Sequence, residues 1–75
     1  MPFYIAELNR ETGRFELWHS DDKVNEMYDE SEALSSYERA IKLEGSKNVI
    51  LLEEVIVDVK LSVKRYNPDD AEQSN

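Results

Sequence analysis

His19, the single histidine of the chain, is the first candidate for chemistry, because it lies directly before Ser20 and Asp21. A histidine base that activates a serine nucleophile must lie within hydrogen-bond reach of it and be oriented by a third group. The surrounding residues form no G-x-S-x-G nucleophile elbow and no other nucleophile motif. We therefore expect a non-enzymatic protein in which His19 lies at the end of a strand, on the surface.

Acidic residues crowd the segment that follows His19, and carboxylates are ligands for hard cations. An EF-hand loop needs acids at alternate positions, a glycine at its sixth position and a glutamate at its twelfth. The segment SDDKVNEMYDES lacks both this glycine and this alternation. The chain has no cysteine, which excludes disulfides and thiolate ligands. We expect no metal ion, and no cofactor either, because no P-loop or G-x-G-x-x-G motif occurs.

The acidic residues are better understood as a surface. The 75 residues carry a net charge of −8, and negative charge is concentrated between Glu16 and Glu54. Such a field disfavours direct binding to nucleic acid or to an anionic membrane. Two interpretations remain open: a solvated surface that keeps the protein soluble, or a decoy for a basic, DNA-binding groove. Carboxylates two residues apart on a strand lie about 6.6 Å apart, similar to successive phosphates.

In the decoy interpretation, exposed acids and the indole of Trp18 contact the partner, and affinity depends on the partner's lysines and arginines. The partner-binding candidates are Glu16, Trp18, Asp21, Asp22, Glu26, Asp29, Glu30, Glu32 and Glu38. An alternative is an interaction domain that inhibits an enzyme or a larger machine through an apolar surface around Trp18. Loss of acids would disable a decoy, whereas loss of Trp18 or its neighbours would disable an apolar-surface inhibitor.

Hydrophobic periodicity predicts the elements that position these side chains. Two apolar runs, 3–8 and 15–19, flank the polar connection 9–14, which favours a β-hairpin whose turn uses Gly13. Apolar side chains occur on both faces of this hairpin. It must therefore lie in a sheet covered on both faces, or contribute to an interface.

A helix is predicted over 32–44. Its N-cap is either Asp29, in a capping box with Glu32, or Ser31, and Gly45 ends it. The apolar residues that recur at helical spacing, and that should pack on the sheet, are Leu34, Tyr37 and Ile41.

The longest apolar stretch, 48–66, dominates the second half of the chain. Apolar residues occupy every second position from Val55 to Val63, which predicts a strand with one buried face. One straight strand over this stretch would span roughly 60 Å, whereas a domain of this size has a radius of gyration of about 11 Å. We therefore expect a bend or break at Glu53 and Glu54, or a strand that projects beyond its domain and pairs with something else.

Together these elements predict an α+β fold: ββαβ with an antiparallel sheet, one helix on one face and a long, bent C-terminal strand. Residues 1–67 form a single domain and 68–75 a flexible acidic tail. A homodimer is expected, because a domain of this length buries only about 60% of its unfolded surface and this one has neither a disulfide nor a predicted metal site to stabilise it. The predicted core residues are Leu34, Ile41, Val57 and Val59.

Three segments carry a resemblance to known proteins: MPFYIAELNRETGRFEL, the helix ESEALSSYERAIKLEG and the strand pair VILLEEVIVDVKL. The chain resembles the small, acidic, cysteine-free early proteins of bacteriophages, which often start with an M-x-x-Y-I-A strand. In size and charge it is similar to phage host-takeover proteins that mimic DNA and block host nucleoid proteins such as HU. The resemblance implies a basic host protein, nucleoid or otherwise DNA-binding, as the partner. It assigns no role to a single residue.

The location follows from what the sequence lacks. It begins with no secretory signal, and no apolar stretch reaches the ~18 residues of a membrane helix. We therefore expect a soluble protein of the cytoplasm, which the resemblance places in the bacterial host.

Overall fold

The chain forms an α+β fold, as the sequence predicts, in a computed structural model that describes residues 1–66. The strands are β1 Phe3–Asn9, β2 Arg14–Leu17, β3 His19–Ser20, β4 Lys23–Val24, β5 Val49–Val57 and β6 Lys60–Arg65. The helix α1 spans Glu30–Glu44. Four strands form one antiparallel sheet in the order β2-β1-β5-β6, and β3 and β4 form a separate hairpin. The predicted tail, 68–75, lies outside the described residues.

The first hairpin confirms the prediction made from its turn residues. The side chain of Asn9 accepts a hydrogen bond from the backbone N–H of Glu11 at 2.9 Å, and Gly13 N–H donates to the Asn9 carbonyl at 2.8 Å. Gly13 has φ +73°, in the left-handed region that glycine adopts without strain. β1 pairs with β2 on one edge and with β5 on the other, so it is a central strand.

The helix begins two residues before the predicted start and ends where predicted. Asp29 is the N-cap, and its carboxylate accepts the backbone N–H of Ser31 at 3.0 Å, which settles the choice between the two predicted caps. Gly45 has φ +94°, and its N–H donates to the Ile41 carbonyl at 2.8 Å. Local capping chemistry therefore sets both ends of α1.

The predicted bend or break at Glu53 and Glu54 is wrong, and the stretch 48–66 forms two strands in place of the long, bent one of the ββαβ order. β5 continues through both glutamates, and the chain reverses at Asp58 and Val59, with φ +52° and +59°. Two left-handed residues between paired strands are typical of a type I′ hairpin turn. The reversal keeps the stretch 48–66 within a molecule whose longest dimension is 37 Å.

The hairpin also changes which side chains share a face. Ile56 is paired with Leu61, and Val57 with Lys60; paired residues lie on the same face of a sheet. Leu61 and Val63 therefore lie on the face opposite Val57. The alternation read from the sequence, which assumes one unbroken strand, predicts all three on the same face.

The core lies between α1 and one face of the sheet. Its fully buried side chains are Ile5, Val49 and Leu51 from the sheet and Ala33 and Ala40 from the helix. The two helical alanines are seven residues apart, two turns of helix, and so lie on one side of it.

Two of the four predicted core residues are wrong, and two are only partly buried. Val57 and Val59 are exposed, Val59 by 96%, because the β5–β6 hairpin extends past the start of β1, which lies opposite Glu53. Leu34 and Ile41 are half-buried and pack around the core.

Candidate functional site

Strand pairing divides the sheet into two chemically different faces. The helix-side face carries the buried Ile5, Val49 and Leu51 and is covered by α1. The open face is the opposite one. Alternation along the paired strands places these residues on it: Tyr4, Ala6, Leu8, Phe15, Leu17, Ile50, Leu52, Glu54, Ile56, Leu61, Val63 and Arg65.

The helix side contains two adjoining grooves that meet at Trp18 and Asn25. The first, of about 320 Å³, lies along β1 and β2 and is lined by Glu7 and Glu16. The second, of about 380 Å³, lies between the sheet and the start of α1; its lining residues include Glu26, Glu32, Ile5 and Met27. We call the pair the acidic grooves. Their linings combine carboxylates and amides with the indole of Trp18, and the second groove adds Ile5 and Met27.

The structure brings four of the predicted partner-binding residues to these grooves: Glu16, Trp18, Glu26 and Glu32. The five others do not line them. Asp29 and Glu30 lie at the start of α1 and Glu38 lies on its exposed side. Asp21 and Asp22 form the turn between β3 and β4.

Sequence reasoning missed Glu7, which lines the first groove. The signal for it was the alternation of β1, which puts Glu7 on the same face as Ile5.

The groove carboxylates are not neutralised by neighbouring bases. Among residues 1–66 one salt bridge forms, between Lys64 and Glu53 at 3.4 Å. In the grooves, Glu16 accepts a hydrogen bond from the Asn9 amide at 3.0 Å, and Glu26 accepts one from the Tyr28 hydroxyl at 2.8 Å. Both contacts leave the negative charge in place.

Trp18 does not lie at the centre of an exposed apolar surface, contrary to the alternative drawn from the sequence. Its indole is half-buried and packs against the core, and its backbone N–H donates to the Ile5 carbonyl at 2.7 Å. Four large exposed apolar side chains of the sheet, Phe15, Ile56, Leu61 and Val63, lie on the other side of the molecule, on the open face. The reason is alternation: Leu17 pairs with Ala6 on the open face, so Trp18 faces the helix side.

His19 and Ser20 do not form a base–nucleophile pair. The His19 ring nitrogen Nδ1 lies 3.3 Å from the Leu17 carbonyl oxygen, whereas the Ser20 hydroxyl donates to the Asn25 side chain at 3.1 Å. In the part of the chain that the structure describes, no group of three or more His, Asp or Glu side chains is arranged to hold a metal ion.

Tyrosine–carboxylate pairs surround the corner where β1 begins. The Tyr4 hydroxyl donates to Glu54 at 2.9 Å, and the Tyr66 hydroxyl donates to Glu30 at 2.8 Å. Burial, reinforced by the bond to Glu54 and the negative charge of Glu26, raises the pKa of Tyr4 to about 12. The hydrogen bond to Glu30 likewise raises the pKa of Tyr66. The phenols hold their protons because a phenolate would face these carboxylates.

The shifted pKa of Tyr4 predicts a loss of stability in alkali. The folded state keeps this proton to a pKa of about 12, and the unfolded chain to about 10. The stabilisation is therefore complete below pH ~10 and is lost as the pH rises from there towards 12. Absorbance of tyrosinate should show one phenol titrating later than the rest, and Tyr4→Phe should remove this late step. Simultaneous titration of all four tyrosines near pH 10 would contradict it.

No protein-family model, no curated protein and no solved structure matches this chain. Within residues 1–66, no helix is long and apolar enough to cross a membrane. The fold and its surfaces define an α+β protein with acidic grooves on its helix side and an apolar open face.

Proposed function

We propose that this protein is a non-enzymatic binding protein that occludes the nucleic-acid site of a basic partner with its acidic helix side. One observation carries the proposal: Glu7, Glu16, Glu26 and Glu32 line two adjoining grooves around Trp18 without a base in salt-bridge contact. Uncompensated carboxylates around a concave surface attract lysine and arginine side chains, whose methylene stems can pack on the indole of Trp18.

The acids outside the grooves extend the negative surface. Asp29 and Glu30 are exposed at the start of α1, and Asp21 and Asp22 are exposed at the tip of the β3–β4 hairpin. A basic DNA-binding surface makes most of its contacts with phosphates, so an array of fixed carboxylates competes for the same cations. The resemblance to phage host-takeover proteins favours a nucleoid protein such as HU as this partner, in the cytoplasm of a bacterial host.

A second candidate function is inhibition of a host enzyme or machine through an apolar surface. The observation that favours it is the open face, where Phe15, Ile56, Leu61 and Val63 are all exposed. The surface for this alternative is therefore not centred on Trp18. The two candidates use opposite sides of the molecule, and variants on each side distinguish them.

The test compares two variants with the same change in net charge. Glu16→Gln, Glu26→Gln and Glu32→Gln together remove three charges from the acidic grooves and keep the hydrogen-bond acceptors. The control removes three exposed acids elsewhere: Glu11→Gln, Glu44→Gln and Asp58→Asn. Both proteins are titrated against an HU-type nucleoid protein at low and high salt, with duplex DNA as competitor.

We expect the groove variant to bind roughly 10–100-fold more weakly, on the basis of about 0.5–1 kcal/mol for each lost charge pair. The control should change affinity much less, although long-range attraction falls equally in both. Binding of the parent protein should weaken steeply with salt, because the screening length shortens from ~10 Å at 0.1 M to ~3 Å at 1 M. Equal losses in the two variants, or a flat salt response, would refute the proposal.

A further inference from the structure

The end of the β5–β6 hairpin projects from the body of the protein. β1 begins at Phe3, opposite Glu53, and within residues 1–66 no strand pairs with β5 on that side beyond this point. We call residues 55–63 the arm. Its exposed apolar side chains, with their exposed fractions, are Ile56 60%, Val57 52%, Val59 96%, Leu61 68% and Val63 48%.

The turn of the arm is strained as well as exposed. Val59 has φ +59°, a conformation that is unfavourable for a β-branched side chain and that glycine or asparagine would adopt at lower cost. An exposed valine gains no burial that offsets this cost. Such outliers concentrate at binding sites.

The apolar surface of the arm is continuous with the open face. Ile56, Leu61 and Val63 share that face with Leu52 and, across β1 and β2, with Phe15. The four strands have seven, four, nine and six residues, which at about 4.8 Å between strands gives on the order of 400 Å² of sheet. The largest apolar patch of a monomeric protein commonly measures about 300–600 Å² and is often functional, so this face is a candidate interaction surface.

The rest of the chain is too polar to cover this surface. Residues 67–75 read NPDDAEQSN, in which Pro68 and Ala71 are the only apolar side chains. These nine residues therefore offer little apolar cover, and a separate molecule is the better candidate.

The charge of the open face fits a second copy of this chain better than a basic partner. The strand positions of the open face carry one acid and one base, Glu54 and Arg65, whereas the whole chain has a net charge of −8. A basic partner is attracted to the acidic helix side rather than to this neutral face. A two-fold axis that passes between Glu54 and Arg65 places Glu54 of each copy opposite Arg65 of the other copy.

We infer that a second copy of this chain covers the open face, in a two-fold dimer whose arms pack over one another. Two such faces bury on the order of 800 Å² of sheet, below the ~1,000 Å² at which stable specific interfaces begin, so the dimer is weak and forms only at high protein concentration. The acidic helix sides point outward in this arrangement. The inference is therefore independent of the function proposed for the acidic grooves, and either can fail without the other, whereas it competes with the second candidate function for the open face.

The first test is sedimentation equilibrium of the full chain from low micromolar to several hundred micromolar concentration. The parent protein should approach twice the chain mass of 8.8 kDa. Ile56→Thr with Leu61→Thr removes a cross-strand apolar pair from the open face and keeps strand propensity; it should weaken dimerisation by at least about tenfold, a loss of ~1.4 kcal/mol. The control, Val24→Thr with Leu43→Gln, removes two exposed apolar side chains elsewhere and should leave dimerisation unchanged.

The second test uses the charge pair and keeps the inference falsifiable if the threonine variant misfolds. Arg65→Glu leaves two acids on each open face and should reduce dimerisation, whereas Glu54→Arg with Arg65→Glu exchanges the charges and should restore it. Circular dichroism reports whether each variant is folded. A parent chain that stays monomeric throughout, equal loss in the control, or no recovery on charge exchange would overturn the inference.

Discussion

Leu51→Ala is expected to lower the free energy of unfolding by about 3–5 kcal/mol, the upper range for a leucine truncated in a closed core. Leu51 is 1% exposed, pairs with Ile5 across the central strands and packs under α1. Ile5, Val49 and Leu51 are the largest fully buried side chains among the described residues. Truncation of Leu51 therefore leaves a cavity that its buried neighbours cannot fill without losing contacts of their own. A domain this small has about 3–5 kcal/mol from its core, so the variant should be largely unfolded.

Two further variants make this expectation measurable by urea denaturation. Leu51→Val removes one methylene and should cost about 1 kcal/mol, which leaves a folded protein with a lower midpoint. Leu43→Ala is the matched control, because Leu43 lies near the end of α1 and is 82% exposed; it should change stability by less than about 0.5 kcal/mol. If Leu51→Ala and Leu43→Ala unfolded at the same urea concentration, the position of the core would be wrong.

The parts of the fold that the sequence predicts correctly are those set by local chemistry. The turn after Asn9 has a glycine at its left-handed position, and α1 has an aspartate at its N-cap and a glycine after its last turn. Each of these signals acts within four or five residues. Tertiary contacts are not needed to read them.

The second hairpin of the sheet is missed because its turn lacks such a signal. Type I′ turns favour Asn-Gly or Asp-Gly, and here Val59 stands where glycine is expected. Valine normally indicates a strand, so alternation from Val55 to Val63 reads as unbroken. The cross-strand pairs, such as Ile56 with Leu61, are the information that the sequence alone does not contain.

The acidic grooves are predicted in part for a similar reason. Charge density selects the acidic segment, but only the fold decides which acids face the same space. Glu16 and Glu32 are sixteen residues apart in sequence and line adjoining grooves that share Trp18, because α1 packs on the side of the sheet that Glu16 faces. The open face leaves one trace in the sequence, the first hairpin with apolar residues on both sides, which predicts an interface without giving its extent.

The buried residues of α1 also differ from the predicted ones, and the Ala40→Leu variant tests the cause of this difference. Hydrophobicity favours Leu34 and Ile41 as the buried residues, yet Ala33 and Ala40 are 0% and 1% exposed. Small side chains let a helix approach a sheet closely, and the longer neighbours then pack around the contact instead of within it. The helix position is therefore set by its smallest residues.

Leucine at position 40 should destabilise the protein by about 1–3 kcal/mol, since three added carbon atoms must displace α1 from Ile5, Val49 or Leu51, or take up strained rotamers. Ser35→Leu is the control, because it places the same side chain on the same helix at an exposed position and improves helix propensity slightly. Thermal melts followed by circular dichroism should show a lower midpoint for Ala40→Leu and an unchanged or higher one for Ser35→Leu. An Ala40→Leu protein as stable as the parent would show that the contact between helix and sheet has space for a larger side chain. Close approach of α1 to the sheet would then not explain why Leu34 and Ile41 lie at the margin of that contact.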